Sequence, residues 1–270
     1  MKECLFEEKG IYYRRNEFSP GRPTLFLVHG VSGSSSAWFA YESAFEGKYN
    51  VLSLDLRGHG KSIRFKKYED YEIGKFSEDL YDLLKHCGVE KCILASNSFG
   101  TLVALDFIGK HQNMVSAAIF ISPHFAVGRM ASARLVKPFI RLAVKMRPEH
   151  SPKKIVGQVD YSKYVDTKDW SVRRNIADIT NTGLWVYLYV TAQTYNFNGE
   201  DILKKIKVPT LVVHGAKDTI FPLRYGVMVA EKIENAKLAV IDDIDHIVVL
   251  NRSKRLIEIM SDFIDGLSGL

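Results

Sequence analysis

Six short apolar runs rich in β-branched residues recur along the chain, with segments of helical period between them, and this alternation constrains the fold more than any other feature. The runs are Thr24–Val28, Asn50–Leu54, Cys92–Asn97, Ala117–Ser122, Thr210–His214 and Lys237–Ile241. Between two of them, Ile73, Phe76, Leu80, Leu83, Leu84 and Cys87 fall on one face of a helix. Further helical segments run from Phe99 to about His111, from Pro222 to Ile233, and from about Arg252 to Phe263. Strands joined by helical crossovers pair in parallel and bury both faces. The chain is therefore read as α/β, a mostly parallel twisted sheet with helices on both faces. Leu5–Glu8 and Ile11–Arg15 flank Lys9-Gly10 and predict an antiparallel hairpin at the sheet edge.

The alternation stops between Pro123 and about Gly199. That stretch carries Pro138, Pro148 and Pro152 and no strand–helix unit. A loop of about 80 residues is too long for a compact domain. It is read as an inserted helical cap, residues 123–199, on a core formed by residues 1–122 and 200–270. The chain's 270 residues suffice for one such core, and 46% hydrophobic with 25% charged residues excludes a disordered or fibrous chain.

The net charge of +6 is local. From Pro123 to Lys154 the basic residues are Arg129, Arg134, Lys137, Arg141, Lys145, Arg147, Lys153 and Lys154, against Glu149 alone. No nucleic-acid-binding motif accompanies them, so nucleic acid is not an expected partner. Arg134, Lys137, Arg141 and Lys145 share one helical face, with Leu135, Phe139, Leu142 and Met146 on a neighbouring one. Pro138 is expected to kink this segment or start a new helix. One reading packs the apolar row on the core beneath a solvated basic face. The other gives the segment a function, either weak association with anionic membranes or attraction of acidic substrates to the cleft. No apolar stretch is long enough for a membrane span, and the N-terminus has no apolar signal region. Cys4, Cys87 and Cys92 form no CxxC pair. These features together predict a cytoplasmic protein.

The strongest chemical signal is Ile93-Leu94-Ala95-Ser96-Asn97-Ser98-Phe99-Gly100. A buried strand runs into Ser98 and a helix follows at once. A serine on such a turn has its hydroxyl exposed at the carboxyl edge of the sheet, with a helix N-terminus facing any developing negative charge. Small residues must flank it two positions away on each side, and these are Ser96 and Gly100. In the alternative register Ser96 is the nucleophile, but Leu94 then occupies a position that requires a small residue. Gly58-His59-Gly60-Lys61-Ser62 echoes a phosphate-binding loop, but Asp55 stands where that motif needs its first glycine.

At this point the sequence resembles the α/β-hydrolase family over nearly its whole length. His29-Gly30 looks like the family's oxyanion loop, and Asp55-Leu56-Arg57-Gly58-His59-Gly60-Lys61-Ser62 like its D-x-R-G-x-G-x-S turn. His214-Gly215-Ala216-Lys217-Asp218 looks like the loop that presents the triad acid, and Ile244-Asp245-His246 like the loop of the catalytic histidine. The resemblance implies the α/β-hydrolase fold and a catalytic triad of Ser98, Asp218 and His246. The order Ser…Asp…His agrees, because only His246 lies beyond the acid and after a late strand. The position after the preceding strand reads Ser122-Pro123-His124-Phe125 and offers no rival carboxylate. Asp245 adjoins His246, and chain neighbours seldom meet in triad geometry. The oxyanion hole would be the backbone N–H groups of Val31 and Phe99. His29 and His214 read as structural histidines, and Asp55, Arg57 and His59 as the holders of a turn. The cap aromatics Trp170, Trp185, Tyr187, Tyr189, Tyr195 and Phe197 are candidates for an acyl pocket, with Trp185 and Tyr189 as the substrate-binding pair, and core packing is the alternative role for any single one.

Serine at the turn argues against the branches of the family that use aspartate there, the haloalkane dehalogenases and epoxide hydrolases. The favoured expectation is a carboxylesterase acting on a small-molecule ester, as a monomer or homodimer, with no cofactor and no metal. Asn97-Ser98-Phe99-Gly100 is close to the Asn-Ser-Met-Gly of ring-cleavage hydrolases, which makes a carbon–carbon bond hydrolase or enol-lactonase the alternative. The loop from His29 to Trp38 lacks the glycine- and proline-rich form of many of those enzymes. A ligand receptor on the same fold is the non-enzymatic alternative.

Overall fold

The computed structural model describes residues 1–129, 131–146 and 157–267, with the side chains of 129, 131–134, 141 and 143 outside the description. Eight strands form one sheet: β1 (Lys2–Phe6), β2 (Ile11–Arg15), β3 (Thr24–Val28), β4 (Asn50–Leu54), β5 (Cys92–Asn97), β6 (Val115–Ile121), β7 (Thr210–Gly215) and β8 (Ala236–Ile241). Their order is β1-β2-β4-β3-β5-β6-β7-β8, antiparallel at β1–β2 and β2–β4 and parallel elsewhere. All six predicted core strands form. The hairpin forms at the predicted edge, but its first strand lies at Lys2–Phe6 rather than Leu5–Glu8. Phe6 pairs with Ile11, which leaves residues 7–10 as the turn, with Gly10 at φ 62°.

The strands alternate their side chains between two cores. Phe26, Leu94, Phe120 and Val212 face one cluster, shared with α2 (Ile73–His86) and α3 (Phe99–His111). Leu25, Leu27, Ile93, Ile119 and Leu211 face the other, under α1 (Phe39–Phe45) and the C-terminal helix described below. Runs apolar on both faces are what a strand covered on both sides requires.

Between β6 and β7 the described residues are helical or irregular. They hold α4 (Ala131–Lys145), α5 (Val172–Thr182) and α6 (Leu184–Thr194). Gly183, at φ 91°, makes the sharp break between the last two. Helices α7 (Glu200–Leu203), α8 (Arg224–Lys232), α9 (Val248–Asn251) and α10 (Ser253–Asp265) complete the chain.

The structure decides between the alternatives for the basic segment. Pro138 lies inside a single helix, α4, and starts no new one. The apolar row does not pack on the core: Leu135, Phe139, Leu142 and Met146 are 73%, 75%, 56% and 71% exposed. The half-buried residues Ile140 and Val144 lie on the opposite side of the helix, which packs against α6. Of the basic row, Lys137 donates to the Tyr195 carbonyl at 3.2 Å and Lys145 is exposed. The side chains of Arg134 and Arg141 lie outside the described residues, as do Arg147, Lys153 and Lys154. Among the described residues no helix is long and apolar enough to cross a membrane.

Candidate active site

Ser98 is the one-residue turn between β5 and α3, held at φ 50°, ψ −114°. This conformation is sparsely populated for a residue with a Cβ and costs about 1–3 kcal/mol. The surroundings enforce it. The Ser98 N–H donates to the Ile121 carbonyl at 2.9 Å, and the Ser98 carbonyl accepts from the Thr101 N–H at 2.8 Å. Gly100 lets the start of α3 press against β3, since a Cβ there would lie 2.6 Å from the His29 carbonyl oxygen and 2.8 Å from that of Val28. Ser96, fully buried, fills the other small position without disturbing the turn.

The loops after β7 and β8 bring Asp218 and His246 to this serine. His246 Nε2 lies 2.9 Å from Ser98 Oγ, and His246 Nδ1 lies 2.7 Å from Asp218 Oδ2. A carboxylate only accepts, so Nδ1 carries the proton and Nε2 is left to accept from the serine hydroxyl. Burial pushes the Asp218 carboxyl up, but hydrogen bonds from His214 and His246 outweigh it and hold the group far below the usual range. The other oxygen, Oδ1, accepts the N–H groups of Ile220 and Phe221 at 2.9 and 2.7 Å.

His214 is a buried structural histidine, as expected, and its partners include the triad-acid candidate. Its Nε2 lies 2.8 Å from the Phe221 carbonyl and 3.2 Å from Asp218 Oδ2, so it braces the acid from behind. His29 is structural, as read. Its Nε2 accepts the Leu56 N–H at 2.9 Å, so Nδ1 donates to the Gly30 carbonyl at 2.7 Å. Complete burial drives its pKa down to about 4, which keeps the ring neutral. Asp55 and Arg57 hold the turn. Asp55 accepts from the N–H groups of Ser35 and Lys61, and Arg57 grips Asp79 with two bonds of 2.6 and 2.7 Å. His59, pushed down to about 3 by burial, bonds the Arg57 carbonyl.

Asp169, in the insertion, was not visible from sequence. It is 3% exposed. Its Oδ1 accepts the His246 N–H at 2.8 Å, and its Oδ2 accepts the N–H and hydroxyl of Thr219 at 3.0 and 2.7 Å. Asp245 in turn accepts the Asp169 N–H at 3.0 Å through Oδ2, and the Ile247 N–H at 3.1 Å through Oδ1. Asp245 is thus a loop holder, and its two bonds go to backbone N–H groups. One carboxylate from the insertion ties the acid loop to the histidine loop.

A cavity of about 370 Å³ opens onto Ser98 and His246, and Val31 and Phe99 line it beside them. Phe99 is the first residue of α3, so its N–H has no partner within the helix. Trp170, Tyr187 and Tyr195 from the insertion also line the cavity. Trp185 and Tyr189, the expected substrate-binding pair, do not. Helix α6 turns Tyr187, Thr191 and Thr194 to the cavity, and Tyr189 instead packs edge-on against Tyr68 and at a tilt against Tyr71, with centroids 5.6 and 5.7 Å away. Among the described residues no group of three or more His, Cys, Asp and Glu side chains is placed to hold a metal ion.

The chain is similar to the non-heme chloroperoxidase CPO-A1 of Kitasatospora aureofaciens, 27% identical over 87% of this chain and 88% of the other. Its structure is similar to that of a hydrolase from Pseudomonas aeruginosa, with TM-score 0.78 and 19% identity over 98% of both chains. It is also similar to that of an esterase from Thermogutta terrifontis, with TM-score 0.72 and 20% identity over 94% of this chain and 93% of the other. At these identities the structural likeness is one of fold. The family model for the alpha/beta hydrolase fold matches residues 23–253. That span runs from the strand before His29 to beyond His246, and the chain therefore belongs to the alpha/beta hydrolase fold family.

Proposed function

We propose that this hydrolase cleaves carboxylic esters through an acyl-enzyme on Ser98. The observation that carries the reading is the unbroken line Ser98 Oγ–His246 Nε2, 2.9 Å, and His246 Nδ1–Asp218 Oδ2, 2.7 Å, opening onto a cavity. His246 takes the serine proton as Oγ attacks the substrate carbonyl, and the ionised Asp218 stabilises the imidazolium that forms. The N–H groups of Val31 and Phe99 receive the oxyanion. His246 then protonates the leaving alcohol; in the second half it takes a proton from water as that attacks the acyl carbonyl, and returns it to Ser98 Oγ as the Oγ–acyl bond breaks and the carboxylic acid leaves. Serine rather than aspartate at the turn supports acyl transfer over epoxide opening.

The test is turnover of short-chain p-nitrophenyl esters by wild type and Ser98→Ala, with fluorophosphonate labelling of both. Wild-type turnover and labelling, both lost in the variant, are expected. Purified wild type that neither turns over the esters nor takes up the probe would overturn the reading.

A further inference from the structure

The cavity beside Ser98 contains a buried cation whose hydrogen-bonding capacity the protein leaves largely unused. Arg174, on α5, lines that cavity and is 4% exposed. Its Nη2 donates to the Asp169 carbonyl at 2.9 Å and to Asn175 Oδ1 at 3.0 Å. Its Nε and Nη1 are buried and have no hydrogen-bond partner among the described residues. Trp38 Nε1, fully buried and lining the same cavity, is a further donor with no partner. A buried arginine is kept only where something accepts its protons, because an unmet charged donor is costly.

The protein's own counter-charge is Asp178, on the same cavity wall, which meets the guanidinium at ion-pair distance but without a hydrogen bond. Asp178 Oδ2 lies 3.7 Å from Arg174 Nε, beyond hydrogen-bond reach, and Asp178 Oδ1 accepts the Tyr161 hydroxyl at 2.9 Å. Burial pushes the Asp178 carboxyl up to about 6, despite that bond and the nearby guanidinium. Asp169, the other nearby carboxylate, offers Arg174 only its backbone carbonyl, because both its side-chain oxygens serve the triad loops. We propose that Arg174 is a substrate-binding residue for a carboxylate, so that the substrate is an ester carrying a free carboxylate, such as the half-ester of a dicarboxylic acid. The assignment rests on the reading that Ser98 works in this cavity, and it makes the guanidinium the anchor that sets the ester bond against the serine. A charge-assisted hydrogen bond of this kind corresponds to about 10- to 150-fold in affinity.

Two measurements test it. The first compares kcat/KM for monoethyl and diethyl glutarate in wild type, Arg174→Met and Arg174→Lys. Wild type should favour the half-ester at least tenfold. The ratio should fall to about one in Arg174→Met and take an intermediate value in Arg174→Lys. The second titrates glutarate and inorganic phosphate into Ser98→Ala, with and without Arg174→Met, by calorimetry. Glutarate should bind with at least tenfold loss on removing Arg174, and phosphate should bind more weakly than glutarate.

No preference in wild type overturns the proposal, whether or not Arg174→Met folds. A preference that survives Arg174→Met does the same, as does phosphate binding as tightly as glutarate. Arg174-dependent glutarate binding in a protein that hydrolyses no ester would uphold the subsite and overturn the esterase reading. Ser98-dependent turnover of neutral esters with no carboxylate preference would do the reverse.

The outward face of α4 independently carries a second inference. Leu135, Phe139, Leu142 and Met146 project from the side opposite Ile140 and Val144, with the exposed Lys145 beside them. Helix α4 lies in a segment, Pro123 to Lys154, with eight basic residues and one acid. We infer that this face docks on anionic lipid, the apolar row entering the acyl boundary and the exposed Lys145 meeting the headgroups. Wild type should co-sediment with phosphatidylglycerol vesicles at low salt and not with phosphatidylcholine vesicles. Phe139→Glu with Leu142→Glu should abolish this. Wild type left in the supernatant would overturn the inference, as would equal binding to both lipids or a dimer in ultracentrifugation that the double variant dissolves.

Discussion

Asp169→Ala removes the link between the insertion and the two loops that carry Asp218 and His246. Three hydrogen bonds end on this carboxylate, at 2.8 Å from the His246 N–H and at 3.0 and 2.7 Å from Thr219. The threonine hydroxyl can rotate to another partner. The N–H of the exposed Thr219 can turn to water, but the His246 N–H is in a buried bond and cannot, and a buried donor left unmet costs about 1–3 kcal/mol. A loss of about 2 kcal/mol is expected, which for a chain of this size lowers Tm by about 4–8 °C. The His246 backbone also loses its anchor, and a displacement of about 1 Å at a catalytic base costs about 100-fold in rate. The expected kcat on p-nitrophenyl acetate is therefore about 10- to 100-fold below wild type, with KM changed far less. Asp169→Asn retains one acceptor oxygen and should fall between the two. Scanning calorimetry and steady-state kinetics on the three proteins decide the matter. An alanine variant within about 2 °C of wild type and with unchanged kcat would refute the argument that this carboxylate positions the histidine.

Ser98→Ala and His246→Ala should each lower kcat by several orders of magnitude, and Asp218→Asn somewhat less because it disturbs only the orientation and tautomer of His246; near-wild-type turnover in Asp218→Asn would place the acid elsewhere. Ser98→Gly should relieve the φ 50°, ψ −114° turn, and its Tm should exceed that of Ser98→Ala by several degrees; equal Tm values would show that the turn carries no strain. Asp178, raised to about 6, stays protonated in the folded chain over a range where the unfolded chain is already ionised. The linked stability is therefore full below about pH 4 and is lost as pH rises to about 6, up to about 2–3 kcal/mol. Asp178→Asn should gain Tm relative to wild type between pH 4.5 and pH 7.5, and a relative loss over that interval would contradict the sign.

The sheet was legible because strands buried on both faces must be apolar throughout, and the serine turn because its neighbours must be small. Strand β1 was misplaced by its pattern. Lys2–Phe6 is mostly exposed, so pairing with β2 rather than burial sets its limits. Asp169 carries no local signal. Lys168-Asp169-Trp170 belongs to no motif, and its partners lie 50 and 77 residues further along the chain. The inward side of α6 was equally hidden, because Leu184–Thr194 is nearly apolar all round and its period selects no face. On α4 the period was correct, but periodicity does not say which side of a helix meets the protein.

The three residues of the Ser98–His246–Asp218 line hang from β5, β7 and β8, in the half of the sheet ordered β5-β6-β7-β8. Ser98 and His246 are 148 residues apart in sequence, and β6 and β7 lie between the strands that carry them, so the line exists only where all four strands are paired. Asp169 adds a further condition, since the insertion must dock before both loops are pinned. On the proposed reading, reactivity at Ser98 therefore requires this whole half of the sheet to be in place. A covalent serine probe would report how many refolding molecules have closed the whole carboxyl edge of the sheet, where circular dichroism would register only strands and helices.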